Sequence, residues 1–197
     1  GMNLIRKFRN DPTNPDSLTA SEIRAFLIDR AGDLWVGSFG GGVQRVNMTN
    51  DGFKVVRQER NSSNEVNVLS VTSVLELANG QIWMGTAANG VSIIDSTLKP
   101  VSVLRLKVDG VAESDDMVTG LAQTTSGTVW VGTERSLLRY VNPQVGLQRD
   151  NASDGLQGAA VRRLMAGRQG ELWIGSTDGL FLLEQNEFSI SRLTDTN

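Results

Sequence analysis

The chain has 197 residues with no Cys, no His, 21 Gly and a formal net charge of −3. That composition excludes disulfides and thiolate metal sites, and it removes the commonest metal ligand and the commonest general base. With 39% hydrophobic and 21% charged residues it reads as a globular protein, and its scattered Lys and Arg do not form a nucleic-acid footprint.

No apolar run reaches the roughly 18–20 residues of a membrane span. No secretory leader is read at the start, and Gly1 before Met2 reads as an expression remnant. The first strand-like segment is Leu4–Phe8, followed by a turn-rich stretch to residue 17. Ile23 and Phe26 then mark a strand, and Gly32-Asp-Leu-Trp-Val-Gly-Ser38 a second. Val43–Val46 and Phe53–Val56 follow as two more.

The same order then repeats three times. Val71 and Val74 precede Gly80-Gln-Ile-Trp-Met-Gly-Thr86, Val91–Ile94 and Val101–Leu106. Val118 and Leu121 precede Gly127-Thr-Val-Trp-Val-Gly-Thr133, Leu137–Tyr140 and a weak segment near Leu147. Val161 and Leu164 precede Gly170-Glu-Leu-Trp-Ile-Gly-Ser176, Leu180–Leu183 and Phe188–Leu193. The Trp residues fall at 35, 83, 130 and 173, spacings of 48, 47 and 43.

Each unit therefore predicts four short strands, A to D, with the Trp on strand B. Asn79-Gly80 predicts a tight A–B hairpin with both turn residues at positive φ. Four strands per period of about 40–50 residues is the pattern of a β-propeller. The expected fold is all-β: four four-stranded antiparallel blades in one segment over 1–197, a partial propeller or half-ring. The blades span approximately 18–60, 66–108, 113–150 and 156–194, and residues 1–17 supply the outer strand of a preceding blade plus a linker. Trp35, Trp83, Trp130 and Trp173 are expected in equivalent buried positions between blades. Gly37, Gly85, Gly132 and Gly175 are expected to let a neighbouring backbone come close.

The repeat resembles the two-component regulator propeller family. The resemblance rests on Phe8-Arg-Asn-Asp-Pro12, Asn14-Pro-Asp-Ser-Leu18, Asp29, Gly32–Ser38 and Gly40-Gly-Gly-Val43, with coherent copies along the chain. Departures sit mainly in loops: Ala88-Asn-Gly-Val91, Glu134-Arg-Ser-Leu137, and Gly167. The resemblance implies a periplasmic sensing segment of a membrane-bound receptor, whose output module is a histidine kinase or a diguanylate cyclase. No motif of either output module is present in this sequence.

Chemistry is sparse. The Trp repeats also look superficially like those of streptogramin lyases, but those enzymes rely on His. Asp115 and Asp116 are neighbours and would point to opposite faces of a strand. Gly40-Gly-Gly42 lacks the Lys-Ser/Thr of a phosphate loop and reads as the B–C turn. Asn47, Asn61, Asn151 and Asp154 read as turn residues without calcium-loop spacing. No enzyme activity, cofactor or metal is expected.

A ligand site, if built, falls on the rim where B–C and D–A loops emerge together. Phe39, Asn89, Arg135 and Asp178 represent the B–C loops there, and Ser21, Arg162 and Arg163 the following segments. The expected partner is a small molecule or carbohydrate, or another protein acting through a generic interaction scaffold. A homodimer of two arcs closing an eight-blade ring is expected, the competing arrangement being a self-closed four-blade monomer.

Overall fold

The computed structural model describes residues 7–47, 53–56, 70–106, 117–184 and 190–192. Blade one is β1 (Ile23–Ile28), β2 (Leu34–Ser38), β3 (Gly42–Val46) and β4 (Phe53–Val55). Blade two is β5 (Val71–Glu76), β6 (Ile82–Thr86), β7 (Val91–Ile94) and β8 (Pro100–Leu104). Blade three is β9 (Val118–Gln123), β10 (Val129–Thr133), β11 (Leu137–Asn142) and β12 (Gly146–Arg149). Blade four is β13 (Val161–Ala166), β14 (Leu172–Ser176), β15 (Gly179–Leu183) and β16 (Ile190–Arg192). Within each sheet the strands pair antiparallel in chain order, as the repeat predicts. A 3₁₀ turn at Asn151–Leu156, unforeseen in the sequence, links blades three and four.

The A–B hairpins are built differently from the expected two-residue turn. Gly80 has φ +85°, but Asn79 is not among the positive-φ residues. The Gly80 N–H donates to Leu77 O at 2.9 Å, and Gly32 and Gly127 repeat that bond to Asp29 O and Thr124 O. Only the glycine needs the left-handed conformation, so each turn is a type I turn ending in a glycine bulge. Asn79 contributes through its side chain, whose Oδ1 accepts the Gln81 N–H at 3.0 Å.

The core lies at the joints between blades. Trp35 packs with Val71, Ile82, Met84 and Ile94 of blade two. Trp83 packs with Val118, Leu121, Val129 and Val131 of blade three. Trp130 packs with Val161, Leu172, Ile174 and Phe181 of blade four. Each of these three Trp rings thus lies on the front face of the next sheet, where an aromatic of this size removes the most apolar area from water.

The glycine two residues after each Trp completes the joint, by a contact different from the expected one. A methyl group added at Gly37 would lie 2.6 Å from Val71 Cγ1. At Gly85 it would lie 2.5 Å from Val118 Cγ1, with Ser73 Oγ of its own blade at 2.3 Å, and at Gly132 2.4 Å from Val161 Cγ1. What comes close is the β-branched side chain that opens the next blade, and not backbone. At Gly175 the nearest atoms are Arg163 Cβ and O at 3.9 Å, so this slot is open.

The two ends of the arc show what a joint covers. β1 packs on β5, β5 on β9 and β9 on β13, and no comparable contact joins blade four to blade one among the described residues. Val71, Val118 and Val161 are fully buried, whereas their counterpart Ile23 is 39% exposed. On the same blade Phe26 is 76% and Ile28 65% exposed. At the other end Met165 is 62% exposed, and Trp173 is half-buried rather than buried like the other three. Trp173 keeps its strand position on β14, but no following sheet covers it.

The N-terminal segment covers the outer part of blade one's front face. Leu18 is buried there, and Gln44 accepts the Thr19 N–H at 2.7 Å while donating to Ser17 O at 3.0 Å. Phe8 meets Phe53 edge-on, with ring centroids 5.5 Å apart. Residues 4–6 of the expected first strand lie outside the described residues, and residues 7–9 are not in a strand.

These joints give a graded expectation. Trp83→Ala costs about 3–5 kcal/mol of stability. Gly85→Ala and Gly132→Ala each cost about 1–3 kcal/mol by overpacking, whereas Gly175→Ala is near neutral in the single, unpaired chain. Chemical denaturation of the four variants checks the order. Equal costs at all three glycines would show that the slots are not specific to the joints.

Candidate functional site

Loops of two kinds meet at one rim. The Phe39 N–H donates to Glu22 O at 2.9 Å, the Ala87 N–H to Ser70 O at 3.0 Å and the Thr177 N–H to Ala160 O at 3.0 Å. Each bond joins the start of a B–C loop to the segment entering strand A, so the expected common rim is present.

The last residue of each Trp motif locks its B–C turn. Ser38 Oγ donates to Gly42 O at 3.2 Å and Thr86 Oγ1 to Gly90 O at 2.9 Å. Thr133 Oγ1 donates to Ser136 O at 3.2 Å and Ser176 Oγ to Gly179 O at 2.9 Å. Thr133 also accepts the N–H groups of Arg135 and Ser136 at 3.1 and 3.0 Å. A hydroxyl can donate and accept at once, which is why Ser or Thr ends every motif. The repetition of that residue type in the sequence carried the signal, though not its role.

On this scaffold the proposed site residues occupy successive turns. Phe39 is exposed, and the Arg24 guanidinium lies 5.3 Å from its ring centroid, within cation–π range. Arg24 is also paired with Glu22. Gly40 N–H reaches Ser70 Oγ of blade two at 3.3 Å, so the Phe39 turn spans the first joint. Asn89 is half-buried, its N–H donating to Thr86 Oγ1 at 2.9 Å. Arg135 and Asp178 are exposed at the tips of the blade-three and blade-four turns.

Arg162 forms an ion pair with Glu134 at 3.0 Å, tying strand β13 to the blade-three turn. Arg163 Nη1 donates to Thr119 O at 3.1 Å across the same joint. Ser21 Oγ accepts the Asn10 N–H at 3.1 Å and so holds the N-terminal segment. Phe39, Asn89, Arg135 and Asp178 are therefore spread around an arc, one turn after another, with Arg162 and Arg163 on β13 beside the blade-three turn. The ion pair at the third joint and the Arg24–Phe39 stack at the first are its two built features. Glu134 was missed because nothing in a lone sequence pairs residues across blades, and Glu22 and Arg24 because their contact with Phe39 depends on how the B–C turn folds back on strand A.

The remaining candidates are structural or lie elsewhere. Gly40 and Gly42 have φ +77° and +74° and form the B–C turn. Asn47 is an exposed residue directly after β3. Asn151 and Asp154 belong to the 3₁₀ turn, where Asp154 meets Arg149 at 2.6 Å. Asn61, Asp115 and Asp116 lie outside the described residues. Among the described residues no group of three or more acidic side chains could hold a metal ion. No helix among them is long and apolar enough to cross a membrane.

At the opposite rim the indole groups find varied acceptors. Trp35 Nε1 donates to Asp29 Oδ2 at 2.7 Å, Trp83 Nε1 to Gln81 Oε1 at 3.3 Å and Trp173 Nε1 to Glu171 Oε1 at 3.4 Å. Burial pushes the Asp29 carboxyl up, but hydrogen bonds from Trp35, Asp33 and Ala31 and the charge of Arg45 outweigh it and hold the pKa below the ordinary aspartate value. A methyl group at Gly167 would lie 1.8 Å from Glu171 Oε1. The Gly167 departure in repeat four therefore makes room for that carboxylate.

Fold and repeat together define a β-propeller arc whose blades are keyed by Trp and Gly. Residues 17–40, which form the first Trp motif and its entry, match the family described as two component regulator propeller. The chain carries that family's repeat. No curated protein matches it.

Solved structures share the fold. The extracellular domain assigned to the hybrid two component system BT3049 of B. thetaiotaomicron aligns with TM-score 0.69 at 24% identity, over 89% of this chain and 23% of that one. That of BT4673 from the same organism gives 0.71 at 18% identity, over 93% and 23%. A catalytically inactive virginiamycin B lyase from Staphylococcus aureus, solved with quinupristin, gives 0.61 at 14% identity, over 86% and 54%. This chain spans less than a quarter of the length of the two-component extracellular domains it resembles.

The rim geometry separates structure from surface. Thr133→Val leaves the buried Ser136 N–H and the half-buried Arg135 N–H without their acceptor and costs about 1–3 kcal/mol. Arg162→Ala breaks an exposed pair and costs less than about 1 kcal/mol. Thermal or chemical denaturation checks both, and a reversed order would place the stabilising contact in the ion pair.

Proposed function

We propose that this chain is a non-catalytic sensing segment of a bacterial signal-transduction receptor, exposed to the periplasm and recognising its target at the B–C rim. The observation that carries the reading is the family's repeat at residues 17–40 on a fold shared with extracellular domains of two-component systems. Rigid blades holding variable turns suit recognition, because the scaffold fixes turn positions while the tips differ. Phe39 stacked under Arg24 offers an aromatic face to a sugar or a partner side chain. Asn89, Arg135, Asp178 and Arg162 supply polar contacts along the same arc. The lyase shares the propeller, but this chain has no His to serve as a general base.

A thermal-shift screen of the purified chain against oligosaccharides and small metabolites tests the reading. The expected result is a saturable rise in Tm, weakened by Phe39→Ala, with the bound compound recovered chemically intact. Turnover of the compound would contradict a sensing role.

A second reading, an assembly through the blade faces, is supported by the complementarity of the two ends. Blade one presents Ile23 in the position of the Val residues that fill the inner slots, and blade four presents the unfilled Gly175 slot beside half-buried Trp173. The occupant that fits is blade one of a second copy, giving a two-fold ring of eight blades. Sedimentation should show a dimer of the 21.3 kDa chain, and Gly175→Val should convert it to monomer without unfolding. A wild-type monomer at micromolar concentration would contradict it.

A further inference from the structure

The lower rim, formed by the A–B turns, is tied at two joints and open at the third. At the first joint the Arg30 backbone N–H donates to Glu76 Oε2 at 2.9 Å, and its guanidinium reaches Glu76 Oε1 at 2.9 Å and Ala78 O at 3.0 Å. At the second, the Ala78 N–H donates to Gln123 Oε1 at 2.9 Å. Ala78 stands in the register of Arg30, and Gln123 in that of Glu76. At the third joint the corresponding pair is Thr125 and Ala166, and alanine has no side-chain acceptor.

Blade three has also lost the carboxylates that serve blade one. There Asp29 accepts from the Trp35 indole, and Asp33 pairs with Arg45, which faces Trp35 across β2 and β3. Thr124 and Thr128 hold those places in blade three. Arg139, which faces Trp130 in the same way, pairs instead with Asp150 at 3.2 Å. The Thr124, Ser126 and Thr128 hydroxyls bond one another at 2.9 and 3.1 Å. Trp130 is 8% exposed, and among the described residues its indole N–H has no protein acceptor and is left to solvent. A cleft of about 130 Å³ opens at this point, with the three hydroxyls, Trp130, Arg139, Asp150 and Glu184 in its walls and Leu172 and Leu183 beneath.

We propose that this cleft is a second binding site, on the rim opposite the turns discussed above, for the hydroxylated edge of a small neutral polyol or sugar. The indole N–H meets solvent in the cleft and takes an oxygen acceptor, water or a ligand hydroxyl, which an amine or an apolar ligand does not supply. Two carboxylates stand against one guanidinium in the walls, so a carboxylate or phosphate ligand enters an unfavourable field. A hydroxyl group both accepts from Trp130 and donates to Asp150 or Glu184. The cleft is smaller than the roughly 300–1,000 Å³ of sites that engulf a whole ligand, so one edge of a ring or a short polyol is what it takes.

The test is the indole region of the ¹⁵N NMR spectrum of the full chain, in which Trp130→Phe identifies the Trp130 signal. Titration with glucose, mannose or glycerol should shift that signal saturably, with Kd on the order of millimolar, while the signals of Trp35, Trp83 and Trp173 stay in place. Acetate should not shift it. Thr124→Asp restores the carboxylate that in blade one accepts from the indole and should weaken binding at least about tenfold. Ala166→Gln restores the missing tie and should do the same. No shift with any neutral compound, a shift with acetate alone, equal shifts of all four indoles, or unchanged binding in both variants would each overturn the proposal. The receptor reading, which rests on the other rim, would be unaffected by any of these results.

Discussion

A valine side chain seated where a glycine has no side chain, beside a tryptophan laid across the next sheet, is the contact on which this molecule depends. A four-stranded sheet with one face unburied cannot offset the entropy lost in ordering its chain. Each blade here covers its neighbour's face, so stability resides in the joints more than in the sheets, as in other repeat proteins. Gly37, Gly85 and Gly132 set how closely successive sheets approach, because even one added methyl meets a Val at 2.4–2.6 Å. The rest follows from that spacing: the stacked strands, the two rims and the orientation of every turn.

Because the joints are alike, departures from them stand out as features. Ends of the arc expose what joints normally bury, namely Ile23, Phe26 and Ile28 on one side and Met165 on the other. The third joint keeps its Trp and its slot but loses its lower tie at Ala166 and its acceptors at Thr124 and Thr128. The upper rim is held independently by the Ser and Thr locks, so its tips can differ without loosening a blade. One architecture therefore separates three tasks: packing at the joints, recognition at the tips, and a local opening where the repeat is broken.

Much of this was legible in the chain. The four Trp-Gly units fixed strand B, and the β-branched residue twelve positions earlier marked strand A, because a fixed spacing reflects a fixed hairpin. Strand D was hardest to read at Leu147, since outer strands bury little and carry a weak pattern. Asn79-Gly80 misled in detail: the dipeptide also fits a type I turn with a glycine bulge, and the hydrogen bond to Leu77 O decides between them. The half-exposure of Trp173 could not be read from its motif, which is intact, because burial depends on a neighbouring blade. Arg24 with Phe39 inside blade one, and Arg162 with Glu134 across the third joint, lie too far apart in the chain to be paired from one sequence. The cleft at Trp130 was legible only after the fact, as two threonines and an alanine at positions held elsewhere by acceptors.

The keyed joint is tested most directly by a double-mutant cycle at Gly132 and Val161. Val161→Ala removes the Cγ1 atom that an added methyl at Gly132 would meet, leaving Val161 Cβ 3.2 Å away as the nearest Val161 atom. Gly132→Ala should therefore cost clearly less in the Val161→Ala background than alone, with a compensating coupling of about 1 kcal/mol or more. Strict additivity of the two substitutions would show that the glycine is not there to receive the valine.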